Sequence, residues 1–204
     1  MSVAPAVKKI FKDCIDISLQ PDFLSADQAA ACLHILLQEI DWRHDSVRVF
    51  GRSHPIPRRH QWYADEGLMY RWSGITLQPL SWFPALNELR SQVSAAAGCD
   101  FNSVLCNLYR DGNDSMGWHA DDEPELGEQP VIASLSLGAA RDFQLRRKGQ
   151  EQKQRRVART FTLTPGSLLL MQGNSQRDWL HALPKRKRVS EPRINLTFRR
   201  ILTN

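Results

Sequence analysis

The sequence predicts an α+β chain with a mainly β core: a double-stranded β-helix (jelly roll) with N-terminal helices backing one sheet. Three observations predict it. Two stretches in the first half repeat leucine at helical spacing. After Asp100 the pattern changes to short strand-like runs separated by turn signals. The last run, Arg193 to Arg199, alternates without a break, with Ile194, Leu196 and Phe198 on one side and Arg193, Asn195, Thr197 and Arg199 on the other. Many antiparallel strands after two helices fit a jelly roll.

Each element follows in order. Residues 1–12 read as a loose leader, and Cys14 to Leu19 as a first strand. Ser25-Ala26-Asp27-Gln28 is a capping box, and Leu33, Leu36, Leu37 and Ile40 form the inward stripe of the helix it starts. His34 sits on that helix as a surface residue. Val47 to Arg52 reads as a short strand or hairpin. Ser53 to His60, broken by Pro55 and Pro57, reads as a loop with His54 and His60 exposed. A second helix runs from Pro84 to Ala97, with proline in its first turn, Leu86, Leu89 and Val93 inward, and Gly98 ending it. Strands are expected near 101–109, 131–137, 141–147, 157–163, 167–172 and 193–201, with turns at Asp111-Gly112 and Thr164-Pro165-Gly166. Asp121 to Pro130 reads as an acidic loop, and 148–156 as a charged hairpin tip.

A chain of 204 residues with 42% apolar content fits a single domain, 1–204, with a sizeable core. Its formal net charge of +5 suits a polyanionic partner. The cations cluster: Arg146, Arg147, Lys148, Lys153, Arg155, Arg156 and Arg159 in one stretch, Lys185 to Arg188 in another. Two such clusters point to phosphate contacts. Cys14, Cys32, Cys99 and Cys106 lack zinc-site spacing and suit free thiols in a reducing, intracellular compartment. No signal-peptide core or membrane-spanning run is expected.

The chemistry concentrates in His119-Ala120-Asp121, His181 and the polar side of the last strand. Two imidazoles and a carboxylate suit Fe(II) and leave open coordination positions for a bidentate oxo-acid and dioxygen. His119 and Asp121, two residues apart, can point the same way from one extended segment. Arg193 and Arg199 offer planar forks for a carboxylate. Asn107 and Tyr109, two apart in an alternating segment, could help hold a small dicarboxylate.

From about Val49 to Ile201 the chain resembles the AlkB family of Fe(II)- and 2-oxoglutarate-dependent nucleic-acid dealkylases. The matching stretches are Val49-Phe50-Gly51, Pro57-Arg58, Gly67 to Gly74, Asn107 to Gly112, His119 to Glu123, Ala140 to Phe143, Gly166 to Leu169 and Pro192 to Arg199. It is most similar to the branch acting on duplex DNA. The resemblance implies that His119, Asp121 and His181 bind iron and are the catalytic centre. It implies that Arg199 pairs with the distal carboxylate of 2-oxoglutarate, that Arg193, Asn107 and Tyr109 hold the rest, and that Asn195 and Thr197 line the same pocket. Tyr70, Trp72 and His119 would sandwich the substrate base. Asp122 and Glu123 would read its polar edge, with Phe50, Arg58 and Ser73 also on the substrate side. Residues 45–80 would form the nucleotide-recognition region and 100–202 the catalytic core.

The implied reaction is oxidative demethylation of 1-methyladenine and 3-methylcytosine in DNA, using Fe(II), 2-oxoglutarate and O₂ and releasing succinate and formaldehyde. The expected partner of this monomer is alkylated DNA, duplex rather than single-stranded. Two departures stand out: Trp72 replaces a phenylalanine of the duplex-acting relatives, and Ala120 replaces an arginine. The alternatives are an RNA or single-strand demethylase, an inert nucleic-acid-binding module, and a zinc hydrolase that leaves the Arg193–Arg199 strand without a role.

Overall fold

A computed structural model describes residues 8–9, 16–49, 52–68, 70–72, 75–77, 79–149 and 156–202; for 8–9, 48–49, 52, 70–72 and 75–77 it describes the backbone alone. In chain order the elements are β1 (Lys8–Lys9), β2 (Ile17–Gln20), α1 (Ala26–Glu39), β3 (Ser46–Val49), β4 (Arg52–Pro55), β5 (Arg59–Ala64), β6 (Tyr70–Trp72), β7 (Ile75–Leu77) and α2 (Pro84–Ala97). Then follow β8 (Ser103–Tyr109), β9 (Met116–His119), a 3-10 turn (Pro124–Leu126), β10 (Ile132–Gly138), β11 (Arg141–Arg147), β12 (Arg159–Leu163) and β13 (Leu168–Met171). The chain ends with the short α3 (Ser175–Asp178), β14 (Trp179–Leu183) and β15 (Arg193–Arg199).

Two antiparallel sheets make the core. One is seven-stranded, in the order β1-β2-β13-β10-β15-β8-β5; the other is four-stranded, β12-β11-β14-β9. The paired hairpins β3-β4 and β6-β7 stand apart from them. This is the mainly β, jelly-roll arrangement expected from the alternation.

The helices form where their end signals predict. The Ser25 hydroxyl accepts from the Gln28 N–H, and the Gln28 side chain accepts from the Ser25 N–H, closing the capping box. Pro84 opens α2, and Gly98 ends it in the left-handed region at φ 61°, which costs glycine nothing. Leu36 of α1, Ile40 just after its end, and Leu86, Leu89 and Val93 of α2 are buried in one cluster with Val104, Cys106, Leu135, Ile194, Leu196 and Phe198. Both helices therefore back the large sheet, and each buried leucine stabilises by about 1.5–3 kcal/mol. A second cluster, including Trp62, Leu105, Phe143, Leu145, Leu163 and Trp179, fills the space between the sheets.

Several expectations need correction. The proline-rich stretch from Ser53 to His60 is not a loop: Arg52–Pro55 pairs with β3, and Arg59 begins β5. Pro55 sits at the end of a two-stranded ribbon, where its missing N–H is tolerated. His54 is exposed, but His60 is 1% exposed, with Nε2 3.2 Å from Asp45 Oδ2. A carboxylate fifteen residues away in sequence meets it because β5 runs beside that segment. Burial and the Arg58 charge push its pKa down to about 4, against the opposing pull of Asp45. Within the stretch expected as a loose leader, Lys8–Lys9 pairs as β1 with β2; the strand expected from Cys14 to Leu19 is Ile17–Gln20, and Cys14 lies outside the described residues. β9 and β14 were not anticipated, although both carry candidate ligands.

Candidate metal centre and co-substrate pocket

The two histidines are brought together by strand pairing. β14 runs antiparallel to β9 with His181 directly opposite His119, and their ring centroids lie 4.1 Å apart. Phe143 stacks on His181 with ring centroids 5.2 Å apart. Asp121 follows two residues after the end of β9 and is 3% exposed. Its Oδ1 lies 4.0 Å from His119 Nε2 and its Oδ2 4.0 Å from His181 Nε2. Ligand atoms of all three lie within 4.8 Å of one another.

The donor chemistry fits Fe(II). His119 Nδ1 is 2.9 Å from the Gly117 carbonyl, which can only accept, so Nδ1 donates there and Nε2 is the ring nitrogen turned toward Asp121. Burial and the neighbouring His119 depress the His181 pKa to about 3, so its imidazole is neutral, as a ligand must be. Burial by itself would raise the Asp121 carboxyl, but Arg199, His181 and His119 together hold it down to about 2, so it is ionised. A neutral His181 imidazole and an ionised Asp121 carboxylate thus converge with His119 Nε2 on one point.

Beside this triad the polar side of β15 lines a cavity with Asn107, Tyr109 and Ser134. The register explains the grouping: Asn195 sits opposite Asn107 on β8 and Ser136 on β10, and Arg193 sits opposite Tyr109. Every residue of β15 is buried, so its polar side faces this cavity and not bulk water. Arg193 Nη2 donates to Ser136 Oγ at 2.9 Å and to Asn195 Oδ1 at 2.8 Å. Ser134 donates to Asn195 Oδ1 at 2.9 Å, and Asn195 Nδ2 donates to Thr197 at 2.8 Å. Arg193 Nε is buried without a hydrogen-bond partner. Burial lowers the Arg193 pKa to about 10, despite the compensating pull of Tyr109, so an incoming anion would relieve a desolvated cation. Arg193 and Arg141 both lie over the Tyr109 ring, at 5.3 and 5.8 Å.

The two arginines of β15 have separate surroundings. Arg199 Nη2 donates to Asp121 Oδ1 at 2.7 Å. A guanidinium on the metal-binding carboxylate stands at the metal end of the pocket. Arg199, expected on the distal carboxylate, is thus engaged with Asp121, whereas Arg193, six residues along the strand, lines the cavity with its Nε unpartnered. Arg58 also departs from expectation. It is 4% exposed, and its Nε donates to Asn107 Oδ1 at 2.9 Å. It orients Asn107, which lines the cavity beside the triad, and is withdrawn from the surface where a substrate contact was expected.

The remaining substrate-side candidates are distributed as follows. Asp122 is exposed and paired with Lys148 at 2.6 Å; Glu123 is half-buried with Oε2 lacking a hydrogen-bond partner. Tyr70 and Trp72 share β6 two residues apart, which places them on one face of that strand. Phe50 and Ser73 lie outside the described residues. Of the basic clusters, Arg146 and Arg147 lie over Trp118 and Trp179, and Lys185 to Arg188 form an exposed turn with Arg186 paired to Asp142. Lys153 and Arg155 lie outside the described residues. Ser134, Ser136, Phe143 and Gln176 are site residues that sequence reasoning missed. The serines carried a signal, the alternation of Ser134 and Ser136 with Leu135 and Leu137 in β10; Gln176 carried none.

Fold and site define a jelly-roll protein with a two-histidine, one-carboxylate metal centre beside a buried cationic pocket. A family model, the 2OG-Fe(II) oxygenase superfamily, matches residues 16–199. Over 159 residues the chain is 49% identical to DNA oxidative demethylase ALKBH2 of Homo sapiens, covering 76% of this chain and 61% of that protein. Over 192 residues it is 40% identical to alpha-ketoglutarate-dependent dioxygenase alkB homolog 3 of Homo sapiens, covering 91% and 66% respectively. The solved structure of OsALKBH1 superposes with a TM-score of 0.65 at 16% identity, covering 96% of this chain and 100% of that one, which is a likeness of fold. The chain belongs to the AlkB family of the 2OG-Fe(II) oxygenase superfamily. Its cofactor and co-substrates are those of the superfamily, Fe(II), 2-oxoglutarate and O₂. It spans 61% and 66% of the length of these two curated relatives. Among the described residues no helix is long and apolar enough to cross a membrane.

Proposed function

We propose that this chain oxidatively demethylates N-alkylated bases, 1-methyladenine and 3-methylcytosine, in DNA. The observation that carries the reading is the His119–Asp121–His181 cluster set against the buried guanidinium of Arg193. It is supported by 49% identity to a protein named a DNA oxidative demethylase. When bound, Fe(II) with 2-oxoglutarate and O₂ supplies the oxidant, and the co-substrate leaves as succinate and CO₂. The methyl group gains a hydroxyl, and the cationic N-hydroxymethyl product then collapses to formaldehyde, a proton and the unalkylated ring nitrogen of the repaired base.

The residues of the chain hold and select. His119, Asp121 and His181 hold the metal. Arg193 takes the distal carboxylate of 2-oxoglutarate, in place of the Arg199 assignment, with Asn107, Tyr109, Asn195 and Thr197 around the rest. Arg199 holds the Asp121 carboxylate. Tyr70, Trp72 and His119 stack on the flipped base, and Asp122 and Glu123 favour the positive charge that both lesions carry. Residues 45–80 form the recognition region of a single-domain monomer working in a reducing, intracellular compartment.

Duplex DNA is the preferred substrate in this reading, with Phe50 refilling the gap left by the flipped base. A few kcal/mol of unstacking is recovered this way only in a duplex. The test is formaldehyde release from matched single- and double-stranded oligonucleotides carrying either lesion, and from the corresponding RNA. Phe50→Ala should lower duplex turnover far more than single-strand turnover. Equal losses on both, or faster turnover of RNA by the unaltered protein, would overturn the duplex assignment.

A further inference from the structure

The carboxylate ligand is held from a second direction. Gln176 is 1% exposed, and its Oε1 accepts from the Asp121 backbone N–H at 2.9 Å. Its Nε2 is engaged as well, 3.2 Å from Ser175 Oγ and 3.5 Å from Met171 Sδ. The side chain is therefore committed at both ends and has one orientation.

The placement matters because of what strand pairing leaves unfixed. His119 and His181 are opposite partners in the β9–β14 ladder, so their relation is set by backbone hydrogen bonds. Asp121 lies beyond the end of β9, outside that ladder. Arg199 fixes its carboxylate but not its main chain. Gln176 lies in α3, which runs directly into β14 and thus into His181. The contact joins residues 55 apart in sequence.

We propose that Gln176 is a positioning residue of the metal centre. It ties the segment carrying Asp121 to the α3–β14 unit carrying His181, so that the third ligand is placed before a metal arrives. The proposal rests on His119, Asp121 and His181 being the metal ligands. Partners of this kind typically change metal affinity by about 10–100-fold when removed.

The test is titration of the metal-free full chain with Co(II), followed by visible absorption, with thermal melting of each metal-free variant alongside. Gln176→Met keeps the volume and removes the acceptor. Gln176→Asn keeps the amide but withdraws it from reach. Gln176→Glu keeps an acceptor oxygen at the same distance. The expected result is Co(II) affinity about 10–100-fold weaker for Met and Asn, with Glu within about threefold of the unaltered protein. Should the Met variant fail to fold, the Asn variant decides. Affinities of Met or Asn equal to the unaltered protein would overturn the proposal, as would a Glu variant as weak as either. If the unaltered protein binds no Co(II), the ligand assignment itself fails; if it binds and the variants match it, only the role of Gln176 fails.

Discussion

The two sides of the β8–β15–β10 strands share a backbone and are equally buried, yet their chemistry is opposite. On one side Val104, Cys106, Leu108, Leu135, Ile194, Leu196 and Phe198 meet α1 and α2 and are nearly inaccessible. On the other, Asn107, Ser134, Ser136, Arg193, Asn195, Thr197 and Arg199 are each 8% exposed or less. An apolar side that closes against helices needs nothing further. A buried polar side is costly unless each group finds a partner. Here the groups are joined in a chain of hydrogen bonds that still leaves Arg193 Nε unpartnered. Burial therefore does not distinguish core from site. An unmatched polar group does, and on this side, among the described residues, it is a cation, Arg193, as a carboxylate ligand requires.

Asp121→Ala, His119→Ala or His181→Ala should abolish 2-oxoglutarate turnover and strongly weaken Fe(II) binding, while circular dichroism shows the sheets intact. Normal succinate formation in any of them at limiting iron would break the polar side's assignment. Next, the two arginines should separate. Arg193→Ala should raise the 2-oxoglutarate requirement about 30-fold or more, since losing one partner of a buried charged pair costs about 2–5 kcal/mol. Arg199→Ala should act first on Fe(II) affinity, through Asp121. Identical co-substrate and metal titrations for the two variants would show that the pocket has no such polarity.

The apolar side predicts the reverse pattern. Leu196→Ala should destabilise the fold by about 2–5 kcal/mol, read as a lower denaturation midpoint. The co-substrate KM of the folded protein should not move. Smallest is a pH effect at the edge of the same sheet, at His60 on β5 opposite Asn107. His60 is buried neutral with its pKa lowered to about 4. Its contribution is full above about pH 6.5. As pH falls from there the unfolded chain takes up a proton that the folded chain refuses, so stability declines until about pH 4, by at most about 3 kcal/mol. His60→Gln should flatten urea midpoints over that window; an unchanged slope would place His60 in contact with water.

What could be read from the residues in order was whatever depends on near neighbours. The Ser25–Gln28 box, the Pro84 and Gly98 ends of α2 and the strict alternation of Arg193 to Arg199 are local signals, and each gave its element. The order of His119, Asp121 and His181 suggested a metal set, but not that β9 and β14 place the histidines opposite each other. Those strands are short, and β14 ends against Pro184, so neither carries enough alternation to stand out. The roles of Arg193 and Arg199 depend on which cross-strand neighbour each meets, a property of register. His60 read as exposed because Pro55 and Pro57 resemble a loop and because its carboxylate partner arrives from another strand. Arg58 and Gln176 act through residues 49 and 55 positions away, beyond any local pattern.

The most direct measurement is product stoichiometry from a 1-methyladenine oligonucleotide incubated with the Fe(II)-loaded protein, 2-oxoglutarate and O₂. Formaldehyde and succinate should form in equal amounts, both absent without 2-oxoglutarate and both absent in Asp121→Ala. Formaldehyde formed without 2-oxoglutarate, or succinate formed with no formaldehyde from any methylated oligonucleotide, would contradict the proposed function.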